Sequence, residues 1–287
     1  MLLAVVSLVA LVVAKPGLAQ EPSKGKVLFF YRSAGYEHGP VVVQADGTTI
    51  AGNALIKYGE KKNFEVVCTH DGSVFDGDIS QYDAFVFYIS GNIFGAANNN
   101  SVAGSKPMTE AGFQKLLDAV KGGKGFVGIH SASDAECGKK NAEGVDIYTA
   151  FVGGRFESHG AMQEAAAAIV KPTEMPWLKE KGDKDVAFEE WYTMREYNKD
   201  MHVLLIQETE GMKGDCYKRP PFPSSWIRAE GKGRVGYVAY GHDNPFWKED
   251  ANVRKIGEFI DWALGRFDMD TTPNFETVTP KGNQLKH

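Results

Sequence analysis

This 287-residue chain has few of the features that mark a ready-made cofactor or polymer-binding site. Cysteine is scarce: Cys68, Cys137 and Cys216 are odd in number and widely spaced. That excludes a disulfide-stapled scaffold and a thiolate zinc site, and leaves room for one intrachain disulfide at most. Runs of Lys and Arg are missing and the formal net charge is −5. Nothing therefore provides the basic footprint of a nucleic-acid partner or of an anionic membrane surface. No Gly-x-Gly-x-x-Gly follows the first predicted strand and there is no P-loop, so no nucleotide cofactor is expected. His-Glu-x-x-His, close His-x-His pairs and Asp-rich calcium loops are absent too.

Long apolar runs are confined to the amino terminus. Residues 2–14 are apolar without interruption, too short to cross a bilayer comfortably, and Gly17-Leu18-Ala19 supplies the small residues of a cleavage site. Residues 1–19 are read as a secretory signal peptide, with an uncleaved anchor as the alternative, and the protein is expected to be secreted or periplasmic. No membrane contact is expected beyond that segment. About 265 residues remain, enough for one large α/β domain with a well-buried core.

The first half alternates strand and helix. Short apolar runs at 26–31, 64–69, 82–88 and 125–129 read as buried strands. Pro40 suits the first turn of a helix running to about Lys61, and 107–121 has the periodicity of a second helix, with Phe113, Leu116, Leu117 and Val120 on one face. The Gly/Asn/Ser-rich stretch 91–105 is long enough for a surface loop or lid. Such alternation predicts a doubly wound, mainly parallel sheet. The second half is less regular. Residues 164–170 suit helix or strand, and their place before Lys171-Pro172 favours strand; 202–207 is a strand, 225–240 a hairpin and 253–264 a closing helix. From Asp268 the chain is a polar tail expected to be poorly ordered.

What the chain does have is histidine at the ends of strands. Gly128-Ile129-His130-Ser131-Ala132-Ser133-Asp134 stops an apolar strand in small residues around one imidazole. The spacing is that of a nucleophile elbow with histidine in the nucleophile's place. Histidine is a poor durable nucleophile but can bind, shuttle protons or ligate metal. His38 and His242 also follow strand patterns, and His159 lies in the Gly-bounded turn Gly153-Gly154-Arg155-Phe156-Glu157-Ser158-His159-Gly160. In a parallel sheet the carboxyl ends of strands are where ligand-binding groups gather. Asp134 is placed to orient His130 or to cap the next helix. Glu189-Glu190-Trp191-Tyr192 sets two acids beside two aromatics, a combination suited to sugar hydroxyls and ring faces, and Trp226 adds another aromatic. His38, His130, His159 and His242 could ligate a divalent metal from separate loops, but their spacing alone does not establish one.

The runs from Val27 to His38, Gly125 to Asp134, Phe151 to His159, Glu189 to Tyr192 and Gly233 to His242, in that order, resemble the ThuA-like family, named for trehalose utilisation. The resemblance covers about residues 26–265. It implies a class I glutamine amidotransferase-like fold, a flavodoxin-like three-layer sandwich, and a role in catabolism of trehalose-like disaccharides through keto-sugar intermediates. In amidotransferases of that fold the elbow carries cysteine and a later strand ends in a His-x-Glu pair. Here the elbow holds His130, and His242 is followed two residues on by Asn244. Glutamine hydrolysis is therefore not expected.

The leading expectation is an exported enzyme, hydrolase- or isomerase-like, acting on a small-molecule carbohydrate. His130, Asp134 and Glu190 are its candidate catalytic residues, His130 and Glu190 for proton transfer and Asp134 to orient His130; His38, Arg155, His159, Tyr192, Trp226 and His242 line the substrate. The rivals are a non-catalytic carbohydrate-binding protein and a metal-dependent hydrolase. A homo-oligomer is compatible with either.

Overall fold

A computed structural model describes residues 25–97 and 100–286; the expected signal peptide lies outside them. In chain order the elements are β1 (Gly25–Phe30), α1 (Ile50–Lys61), β2 (Phe64–Thr69), β3 (Ala84–Phe87), β4 (Gly91–Asn92), α2 (Glu110–Lys121) and β5 (Gly125–Ile129). Then come β6 (Ala135–Glu136), α3 (Ile147–Val152), β7 (Arg155–His159), β8 (Gln163–Ile169), α4 (Pro176–Lys179), β9 (Lys184–Glu189) and β10 (Tyr192–Arg195). The chain closes with β11 (His202–Gln207), β12 (Phe222–Glu230), β13 (Gly233–Val238), α5 (Asp250–Ala263) and α6 (Phe275–Val278).

Nine strands form one sheet in the order β2-β1-β3-β5-β13-β12-β11-β8-β9. The first five run parallel. From β13 onward every neighbour is antiparallel. The expected mainly parallel sheet is thus half of a mixed one, because the Gly-turn hairpin β12–β13 reverses the chain and the next strands build on it.

Alternate residues of the parallel strands feed two separate cores. Val27, Phe29, Val127 and Ile129 pack with Leu55 of α1 and Ile256, Phe259 and Ile260 of α5. Leu28, Phe30 and Phe126 pack on the other face with Phe113 and Leu116 of α2 and Tyr148 and Phe151 of α3. Burial on both faces explains why these strands read as unbroken apolar runs rather than alternating ones.

Two expectations about local structure are corrected. Pro40 opens only a 3-10 turn, Gly39–Val41. The helix starts at Ile50, where Thr49 Oγ1 accepts the N–H of Gly52 at 3.0 Å. The β-branched run Val41-Val42-Val43 disfavours helix, and a turn closes at Gly47. The polar tail is not loose: Phe275 is buried in the core beside Tyr197. Asn283 Oδ1 accepts the Tyr197 N–H at 2.8 Å, and Arg219 donates to the Gly282 carbonyl. One well-placed aromatic is enough to dock a segment whose average composition is polar. The three cysteines are free. Among the described residues no helix is long and apolar enough to cross a membrane.

Candidate site of three imidazoles and a carboxylate

The carboxyl ends of β1, β5 and β13 lie at one edge of the sheet, and the loops leaving them carry His38, His130 and His242. At the end of β5 the backbone of His130 has φ +44°, a left-handed conformation unusual for a side-chain-bearing residue. Such strain costs on the order of 1–3 kcal/mol and persists only where the surroundings over-determine it. Here the Tyr237 hydroxyl donates to the His130 carbonyl at 2.7 Å, and Ser133 Oγ donates to it at 3.2 Å. The small residues expected of an elbow pack closely here, since a Cβ on Gly128 would stand 3.2 Å from that of Ala132.

After β13 the chain turns at Gly241, φ +112°. Its carbonyl receives the Tyr88 hydroxyl at 2.9 Å and Trp247 Nε1–H at 2.8 Å. Glu189, buried at the end of β9, fixes the same turn from the other side. Its carboxylate accepts the N–H of Gly241 at 2.9 Å, of His242 at 3.2 Å and of Glu190 at 3.0 Å. Burial pushes the Glu189 carboxyl up, and the neighbouring imidazoles and these N–H donors oppose that rise. Glu189 therefore positions both His242 and Glu190.

The four side chains converge. His242 Nδ1 stands 2.9 Å from Glu190 Oε2 and 3.2 Å from His130 Nε2. His130 Nε2 is 3.6 Å from the same carboxylate oxygen. The His38 ring lies edge-on to those of His130 and His242, with centroids 5.0 and 5.1 Å away. His130 Nδ1 faces the Ala239 carbonyl at 3.0 Å, an acceptor only, so that nitrogen carries a proton and Nε2 is the atom aimed at the cluster. Burial first, then repulsion from His130 and His242, pulls the His38 imidazole down to about 2, so it stays neutral. Glu190 is held well below the ordinary carboxylate range: burial opposes its charge, but contacts from His130 and His242 outweigh that. His242 moves up for the reciprocal reason, its Glu190 partner winning over burial. The arrangement can hold a negative carboxylate against imidazoles and pass a proton among them.

Exposure separates the roles. His130 is wholly buried, whereas Glu190 and His242 are partly open. His159 is exposed, stacks on the Tyr192 ring and points Nδ1 at Glu190 Oε1, 3.1 Å away. Solvent reaches His159 and, in part, Glu190 and His242, while His130 is closed off from it.

Several expected site residues are placed differently. Asp134 does not orient His130; that nitrogen bonds the Ala239 carbonyl instead. Burial raises the Asp134 carboxyl to about 6 against the pull of Arg155. Arg155 itself pairs with Glu136 at 2.5 Å. Tyr192 offers no open ring face: it is buried, its ring 4.2 Å from that of His130 and its hydroxyl 3.3 Å from His38 Nε2. Trp226 is a core residue, fully buried and stacked on Tyr237, with Nε1–H donating to the Val152 carbonyl at 2.9 Å. Trp226→Phe is accordingly expected to lower stability by about 1–3 kcal/mol, by leaving a buried carbonyl unpaired. A urea titration should show that loss, and binding of sugars should be unchanged once the folded fraction is corrected for.

Sequence reasoning missed Glu189, Tyr237 and Tyr88 as supports of the site. The adjacent acids 189 and 190 were a signal for Glu189. The tyrosines, in strands of apolar residues, gave none.

Comparison with known proteins places this architecture. The family model described as "ThuA: Trehalose utilisation" matches residues 26–263. No curated protein matches the sequence significantly. Among solved structures, a putative ThuA-like protein from Bacteroides uniformis ATCC 8492 is 19% identical, with a TM-score of 0.58 over 86% of this chain and 94% of its own. A second, from Parabacteroides merdae ATCC 43184, is 17% identical with a TM-score of 0.59, over 83% and 89%. A cytoplasmic protein from Salmonella typhimurium LT2 is 16% identical with a TM-score of 0.52, over 84% and 98%.

Proposed function

Because the chain belongs to the ThuA, or trehalose utilisation, family, we propose that it is an exported enzyme of carbohydrate catabolism acting on a trehalose-like disaccharide or its keto derivative. In the same reading the parallel half of the sheet is the flavodoxin-like core of a class I glutamine amidotransferase-like fold. The observation that carries the catalytic part is the contact chain Glu190–His242–His130 at the carboxyl edge of the parallel strands.

A ketone on a sugar ring acidifies the neighbouring C–H, and a base of near-neutral pKa can remove that proton. His242, partly open and paired with the Glu190 carboxylate, is the group suited to take it. The imidazolium so formed is stabilised by Glu190, and His130 Nε2, the nitrogen turned away from the Ala239 carbonyl, offers the next acceptor. Loss of the proton leaves an enolate, whose electron pair can form a C=C bond as the C–O bond on the far carbon breaks. The proton held by the imidazoles then goes to that departing oxygen. His159, exposed beside Glu190, would contact sugar hydroxyls.

Incubating the full chain with trehalose, 3-keto-trehalose and simple glycosides tests this. Turnover of at least one, with the keto sugar favoured, is expected. Tight binding of a sugar without any conversion would instead leave a carbohydrate-binding protein.

A further inference from the structure

We propose that His38, His130, His242 and Glu190 form a binding site for one divalent transition-metal ion. Each offers one ligand atom, and those atoms all lie within 4.8 Å of one another. Four donors set tetrahedrally at about 2.0–2.1 Å from an ion stand about 3.3–3.4 Å apart. The three separations here, 3.2, 2.9 and 3.6 Å, bracket that spacing.

The surroundings are prepared for the same role. The Ala239 carbonyl takes the Nδ1–H of His130 and leaves Nε2 free to ligate, the arrangement that orients metal-bound histidines. Glu189 grips the backbone of both His242 and Glu190. His38 is an independent pointer: it is almost wholly buried, and its Nδ1 has no hydrogen-bond partner. A buried imidazole nitrogen with no hydrogen-bond partner is costly unless something completes its surroundings. Three imidazoles and one carboxylate suit zinc and its neighbours; calcium and magnesium prefer oxygen ligands throughout. The four ligands come from four separate loops, so no local spacing motif could announce them.

This inference concerns the same side chains as the catalytic proposal but does not require turnover. An ion held by His242 Nδ1, His130 Nε2 and Glu190 Oε2 would occupy the atoms that pass the proton, so the two are alternative states of one cluster. The test is calorimetric titration of chelator-treated full chain with Zn²⁺, repeated with Co²⁺ while recording visible absorption. One equivalent should bind, Co²⁺ should give the intense bands of a low-coordinate site, and millimolar Mg²⁺ should not displace either. His242→Ala and His38→Ala should each lose the one-equivalent step while keeping the wild-type far-UV spectrum. His202→Ala, at the start of β11, should keep it. Absence of binding by the wild type, or its survival in both folded ligand variants, would overturn the site. Zn²⁺ binding without conversion of any sugar supports the metal site and sinks the catalytic proposal. Turnover undiminished by chelation, with no metal bound, does the reverse.

Discussion

Glu190→Gln is expected to lower kcat/KM by about 10²–10⁴-fold on whichever sugar is turned over, the range associated with loss of a positioned acid–base group. Gln keeps the shape of the side chain and can still accept a hydrogen bond from His242, so the fold should be undisturbed. What disappears is the negative charge that three imidazoles surround. Without it, His242 no longer gains on becoming an imidazolium, and proton transfer to it loses its driving force. His242→Ala should be similarly damaging. The double variant should be little worse than the poorer single one, since both remove the same pair and effects within one catalytic unit are not additive. Additive losses would mean that the two groups act separately. Steady-state kinetics on all three variants, alongside far-UV circular dichroism, decide between these outcomes.

How much of this site the sequence declared depends on the strand that delivers each residue. The elbow at His130 was legible because a doubly buried strand is an unbroken apolar run. Where such a run stops abruptly in Gly, Ser and Ala, the chain turns tightly and leaves its one large side chain standing clear. The ends of β1 and β13 were legible on the same grounds, and so were His38 and His242. Strand β9 was not. Its inward side carries Asp185 and Glu189, while Val186 and Phe188 are exposed on the outer side. Ordinary alternation would turn Val186 and Phe188 toward the core and the acids toward water. The pattern inverts because the inward acids find partners only tertiary structure can supply: Lys255 and Tyr240 for one, the 241–242 turn for the other. The pairing of β7 with β10, which places His159 opposite Tyr192, was equally silent, since neither short strand has a distinctive pattern. Trp226 was misplaced for a related reason. An aromatic with a polar edge suits a sugar site or a core, and only the Val152 carbonyl at the far end of its N–H decides.

Asp185→Asn is expected to destabilise the protein by about 3–5 kcal/mol near neutral pH, because it strands a buried ammonium. Asp185 is fully buried on β9. Its carboxylate meets Lys255 Nζ at 2.6 Å, the Tyr240 hydroxyl at 2.9 Å and Lys181 Nζ at 3.1 Å. Burial would raise its pKa, but Lys255 and these hydrogen bonds prevail and hold it below the usual Asp range. Lys255 moves down as well, burial outweighing the help from Asp185. Without that carboxylate, the faces of Tyr240 and Trp177 and the charge of Glu189 would remain near the ammonium, none of them paired with it directly. A carboxyl whose pKa is depressed by folding stabilises the native state above its unfolded pKa, about 3.9 for Asp. That contribution is lost as pH falls further, through the lower folded value. The wild type should therefore lose part of its advantage over Asp185→Asn below about pH 4. Urea unfolding at pH 7 and at pH 3.5 measures the difference. Replacing the pair together, as Asp185→Leu with Lys255→Met, should restore much of the loss, since removing both charges leaves neither stranded. Because β9 ends in Glu189, the same single substitution should also loosen the turn that presents His242 and Glu190, and activity should fall with stability. A variant as stable as the wild type at both pH values would show that this ion pair does not anchor the strand.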